Sequence, residues 1–157
     1  MLTLWKGEFL LKKKRVAFFV IPIFIVAVIV VKFTLFTPYR SIERYVNQNK
    51  TNLTFSSEFY LEEGTVNKAN NDTVDVDGIF GDTNRIVQFH YSGFGIAPSS
   101  TYYGFYYSPS DVPVPYCNED YELTMDVDGG WTWNGDGDNG GKIKKISDNW
   151  YYYEAWF

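Results

Sequence analysis

Sulfur and imidazole are nearly missing from this sequence: its 157 residues hold one cysteine, Cys117, and one histidine, His90. A single cysteine excludes an internal disulfide, the device on which many small domains of oxidising compartments depend, and this fits a bacterial surface better than a eukaryotic one. A single histidine excludes any two-histidine metal motif. No nucleophile stands in a recognisable elbow, so no catalytic set can be assembled and the chain reads as a non-enzyme. His90 reads as a strand side chain between Phe89 and Tyr91, and Cys117 as a small, partly buried one. Positive charge is also scarce after the first 32 residues. Up to Lys32 there are six basic side chains and one acidic; the remainder holds eight basic and eighteen acidic, a net of -10 within an overall -5. Phosphate recognition needs a basic footprint, which sets nucleic acid aside.

Aromatic rings are abundant instead, at 20% of the residues. Each buried ring removes on the order of 150–250 Å² from water, so a sizeable core is expected despite the acidity. At the N-terminal end the cluster Lys12, Lys13, Lys14 and Arg15 precedes an unbroken apolar run at 16–31, VAFFVIPIFIVAVIVV, which residues 33–36 nearly extend. A helix needs about 20 such residues to cross the hydrocarbon core. The run is followed by Phe36-Thr37-Pro38-Tyr39-Arg40 rather than by a small-residue cleavage site, which favours an uncleaved signal-anchor over a secretory leader. The positive-inside rule keeps the basic cluster in the cytoplasm. The expectation is therefore a cytoplasmic stub at 1–15, a transmembrane helix at 16–36, and an extracellular, aromatic-rich, β-dominated domain at 37–157, located at the cell membrane.

Within that domain, Thr37 as N-cap and Pro38 at the first helical position predict a short helix over 38–49. Beyond Asn52, short alternating runs broken by turn residues predict seven or eight strands: 53–61 (LTFSSEFYL), 73–77, 85–91, 101–107, 121–127, 131–133, 142–146 and 150–156. The run GDGDNGG at 135–141 predicts a hairpin turn. The fold class expected is α+β, a helix with a mainly antiparallel β domain, either cystatin-like or a small sandwich. The pattern T-x-D-V-D-G occurs at 73–78 and 124–129, but the flanks do not match, so two independent strand-into-turn segments are expected rather than a duplication.

Two sets of residues are candidates for binding. Asp126, Asp128, Asp136 and Asp138 offer hard oxygen ligands of the kind calcium takes, although the spacing fails the EF-hand pattern at Asn139 and Lys145; otherwise they simply build tight turns. Calcium is the one cofactor to consider. Tyr103, Tyr106, Trp131, Trp133, Trp150, Tyr152 and Trp156 are the candidate ligand-binding rings. Alternate strand residues share a face, so one set must build the core while the other is free to form a stacking platform.

The segments GIAPSSTYYGFYYSP at 95–109, DVPVP at 111–115, GDGDNGG at 135–141 and DNWYYYEAWF at 148–157 resemble those of small single-pass membrane-anchored proteins of Gram-positive bacteria. That resemblance implies a monoderm cell surface and carries no activity or site residues with it. The function expected is a membrane-anchored extracellular binding module for a cell-wall component or a partner membrane protein. The alternatives are a small cell-wall glycan hydrolase using paired carboxylates and a structural accessory subunit of a membrane complex.

Overall fold

The computed structural model describes residues 37–65, 75–96 and 99–157. Residues Ser41–Phe157 belong to one compact unit. One long helix, α1 (Pro38–Glu63), precedes seven strands: β1 (Asp75–Phe80), β2 (Ile86–Ile96), β3 (Ser99–Tyr107), β4 (Thr124–Met125), β5 (Trp131–Asn134), β6 (Gly140–Ser147) and β7 (Trp150–Trp156).

α1 begins where the sequence signals it. The Thr37 hydroxyl accepts from Arg40 N–H at 3.3 Å, with Pro38 at the first position, where a missing N–H costs nothing. It ends at Gly64, whose φ of 71° and N–H to Tyr60 carbonyl at 2.9 Å form a left-handed cap. The helix runs 26 residues rather than stopping at Asn49, and so absorbs the segment 53–61 expected as a strand. Its buried side, Ile42, Val46, Leu53, Ser57 and Tyr60, follows the helical period, while Phe55 and Phe59 point outward.

All strands pair antiparallel in one open sheet of order β1-β2-β3-β7-β6-β5-β4. No second sheet is present among the described residues, which corrects the sandwich, and α1 corrects the short helix of the cystatin-like alternative. The transmembrane helix is corrected as well. Among the described residues no helix is long and apolar enough to cross a membrane. α1 is long enough, at about 1.5 Å per residue, but carries Arg40, Glu43, Arg44, Lys50, Glu58, Glu62 and Glu63. The span expected at 16–36 and the stub before it lie outside the described residues. The membrane anchor, the cell-membrane location with an extracellular domain, and the membrane or cell-wall partners that follow from the anchor are accordingly not carried forward.

Residues opposite one another on neighbouring strands share a face. On one face lie Val87, Tyr107 and Trp150, then Phe89, Phe105 and Tyr152 in the next row. α1 covers these rows: the Tyr45 ring lies 5.9 Å from that of Phe105, Trp150 Nε1 donates to Thr54 Oγ1 at 3.3 Å, and Tyr107 Oη donates to Glu58 Oε1 at 3.2 Å. The other face is closed by a strap at 108–123. Beneath it Ile86, Tyr106, Val114, Trp133, Ile143, Tyr151, Tyr153 and Ala155 form a second buried cluster.

The strap is fixed by polar anchors. Tyr106 Oη donates to Val114 carbonyl at 3.1 Å and accepts from Val114 N–H at 2.9 Å, satisfying both buried backbone groups. Asp111 receives Lys145 Nζ at 2.6 Å, Asn149 N–H at 2.9 Å and Tyr151 Oη at 2.9 Å. The Lys145 ammonium, ahead of the backbone and tyrosine donors, holds the Asp111 carboxyl below its ordinary range.

The two D-V-D-G segments differ in structure. At 75–78 the segment is part of β1, with a register shift between Val76 and Gly78; at 126–129 it is the turn between β4 and β5, closed by Gly129 N–H to Asp126 carbonyl at 3.1 Å.

Candidate functional site

α1 leaves part of its own face of the sheet uncovered. Following the register outward from the helix, the next row reads Ser92, Tyr103, Glu154, Lys142, Thr132 and Thr124, and the one after it Phe94, Thr101, Trp156, Gly140 and Asn134. Lys144 lies beside Tyr152 at the edge of the helix-covered rows. Of these, Tyr103, Thr101, Glu154, Trp156 and Thr132 are partly exposed; Lys142, Lys144, Asn134 and Phe94 are exposed. Adjacent strands are about 4.8 Å apart and alternate residues about 7 Å, so the two rows make a shallow field large enough for two or three sugar-sized rings.

Trp156 is the centre of that field. Gly140 stands directly opposite on β6, and a Cβ there would lie 2.9 and 3.0 Å from Trp156 Cζ2 and Cε2. The indole therefore lies over position 140, in the space that a side chain there would fill. Any larger residue at 140 would tilt it. Tyr103 shares the neighbouring row with Glu154. Burial and then the charge of Glu154 raise the Tyr103 hydroxyl above its ordinary pKa, which keeps it a neutral donor. Tyr152 Oη donates to Glu154 Oε2 at 3.4 Å and fixes that carboxylate from below.

The seven candidate rings thus separate by position. Trp156 and Tyr103 lie on the uncovered field. Tyr152, 5% exposed, lies beneath its edge. Tyr106, Trp133 and Trp150, at 1%, 1% and 0%, offer a ligand no surface. Trp131 is on the strap face, edge-on to Tyr151 at 6.2 Å.

The aspartates separate too. Asp126 and Asp128 sit in the turn before β5 and Asp136 and Asp138 in the turn after it, at opposite ends of a four-residue strand about 13 Å long. Among the described residues no group of three or more His, Cys, Asp or Glu side chains is placed to hold a metal ion, so the geometry gives calcium no site. Asp126 instead uses Oδ1 to accept Val127 N–H at 2.7 Å, as a turn residue does.

Two other polar places were candidates for chemistry. Around Cys117, Gln88 Nε2 donates to Asp77 Oδ2 at 3.1 Å and to Cys117 Sγ at 3.7 Å, while Gln88 Oε1 accepts Cys117 N–H at 3.1 Å and Tyr153 Oη donates to Asp77 at 3.1 Å. Burial pushes the thiol up to about 11, against the pull of the Gln88 and Tyr116 hydrogen bonds, so it is protonated at neutral pH and a poor nucleophile. This network ties the strap to β1 and β2. A polar cleft of about 700 Å³ lies between the β1–β2 turn and the strap, lined by Gly81, Asp82, Thr83, Asn84, Asn118, Glu119 and Asp120. Its three carboxylates are exposed, and none of the lining residues of this cleft supplies the apolar wall that raises a general acid's pKa.

Lys142, Glu154, Thr132, Asn134 and Thr101 were not anticipated. The sequence signal for Lys142 and Glu154 was the alternation in KIKKI and YYYEAW; which strands stand side by side, and in what register, carries no local signature. No protein-family model matches the chain, and no curated protein or solved structure matches it.

Proposed function

We propose that this domain is a non-catalytic binding module that takes a saccharide on the uncovered field of its sheet, with Trp156 as the stacking platform. The observation that carries this reading is the partly exposed indole lying over Gly140, with Thr101 opposite it and Tyr103 and Glu154 in the neighbouring row of the same face. A flat aromatic face meets the C–H side of a pyranose well, and the hydrogen-bonding groups bordering Trp156 (Tyr103, Thr101, Thr132, Asn134 and Glu154) match its rim of hydroxyls. A catalytic role has no comparable support: the thiol is protonated and His90 packs edge-on to Tyr102 at 6.0 Å.

The test is titration calorimetry of the chain against a panel of neutral and acidic tri- and tetrasaccharides, with Trp156→Ala and Tyr103→Ala as partners. Binding of any member that both variants abolish, with the circular dichroism of the protein unchanged, supports the reading. A panel without a single binder, or binding that survives Trp156→Ala, overturns it.

A further inference from the structure

Phe94 is not one of the seven rings named from the sequence, yet it is the most exposed aromatic side chain among the described residues, at 82%. It is held by a strand and not by a loop. Phe94 pairs with Thr101 in the β2–β3 ladder, and Thr101 pairs with Trp156. The two rings thus belong to one row on one face, with Thr101 between them. Their backbones are two strand spacings apart, about 10 Å, and the indole leans one step further, over Gly140 of β6. Beyond Gly140 the row ends at Asn134. Across the strands it therefore runs ring, hydroxyl, ring, amide.

No residue of this row is charged, although the residues after Lys32 sum to -10. The row beside it carries one charge of each sign, Glu154 and Lys142, which stand opposite each other on β7 and β6. Its other members, Ser92, Tyr103, Thr132 and Thr124, are hydroxyl groups. An acid or a base laid on these two rows meets no net charge of opposite sign, so the field is matched to a ligand without charge. Two rings separated by a threonine and bordered by hydroxyls are spaced platforms, unlike the continuous apolar patch that a protein partner covers.

We infer that the saccharide bound here is a neutral, linear chain that lies across the strands, one unit on Trp156 and another on Phe94, with the hydroxyl row along its flank. This rests on the reading of the field as a saccharide site and adds the ligand's charge, length and course. A pyranose joined through equatorial bonds at opposite ends of its ring advances by about one strand spacing per unit, so about three or four units reach from one ring to the other. Such a chain is straight and can rest on both rings at once. Axial linkages coil the chain and lift it from one ring when it sits on the other.

The experiment is titration calorimetry of the full chain with cellobiose and cellotetraose, the matching di- and tetrasaccharides of N-acetylglucosamine, maltotetraose, and the acidic tetragalacturonate. An equatorially linked tetrasaccharide is expected to bind about three- to tenfold more tightly than its own disaccharide, the increment of one added stacking ring. Its affinity should hold between about 20 and 300 mM salt. Phe94→Ala should remove the increment and leave the disaccharide unchanged, and Phe94→Tyr should keep it. Maltotetraose should gain nothing from Phe94. A tetrasaccharide that binds no more tightly than the disaccharide, or an increment that survives Phe94→Ala, overturns the two-ring course while the saccharide reading stands, provided that Trp156 is still required. Trp156-dependent binding confined to tetragalacturonate or to maltotetraose does the same. No binding of any probe overturns both. The relative strength of the glucose and N-acetylglucosamine chains identifies which substituent the site accepts.

Discussion

Trp150 and Trp156 lie on the same strand, on the same face, six residues apart, and their surroundings are opposite. Trp150 is fully buried, its ring 5.2–6.0 Å from those of Tyr107, Phe105 and Phe89, with its N–H taken by Thr54 of α1. Trp156 lies over a glycine and is partly exposed. The difference comes from the path of α1, which crosses the upper rows and leaves the lower ones open. Identical chemistry becomes core or contact surface according to what passes over it.

Four substitutions sharpen this contrast. Trp150→Ala opens a cavity under the helix and is expected to cost about 3–5 kcal/mol in urea denaturation; a cost near that of a surface change would mean that α1 is not packed on the sheet as described. Tyr106→Phe removes the single hydroxyl that satisfies both backbone groups of Val114, and a loss of about 1–3 kcal/mol is expected from the same measurement. An isostructural variant of unchanged stability would show that the strap is held elsewhere.

Asp111→Asn has a smaller effect, as expected for a pair this exposed, and a distinctive pH dependence. Because the folded carboxyl titrates below its ordinary value of 3.8, its contribution is complete at neutral pH and is lost as pH falls through 3.8 and on through the lower folded value. Melting temperature followed from pH 7 to pH 2 should fall more steeply in the parent than in the variant, and parallel curves would show that Lys145 and Asp111 are not coupled. Trp156→Ala closes the series, with a stability change expected within about 0.5 kcal/mol while saccharide binding disappears. A large loss of stability there would make the indole a structural cover.

Much of the strand pattern was legible locally. The run 150–156 matches β7 residue for residue, and the glycine-rich run at 135–141 is where β5 turns into β6. The helix was misjudged at 53–61 because Leu53, Phe55, Phe59 and Leu61 mimic alternation, while the residues that pack on the sheet are Leu53, Ser57 and Tyr60, at a helical spacing with a serine in the middle. A buried serine hides the period. The site was legible only as a surplus of rings. To sort Trp156 from Trp150 requires knowing that β7 lies between β3 and β6 and where α1 stops, and both are long-range facts.

The place of β7 in the sheet also governs the order of assembly. It is the latest of the seven strands to leave the ribosome, yet it joins β3 to β6 in the middle of the sheet. Until it arrives, β1, β2 and β3 form a ribbon whose β3 edge, SSTYYGFYY, presents unpaired backbone and a row of rings, the kind of edge that pairs with other chains. Folding must wait for contacts distant in sequence, and so should be slow for a domain of this size and sensitive to concentration during refolding.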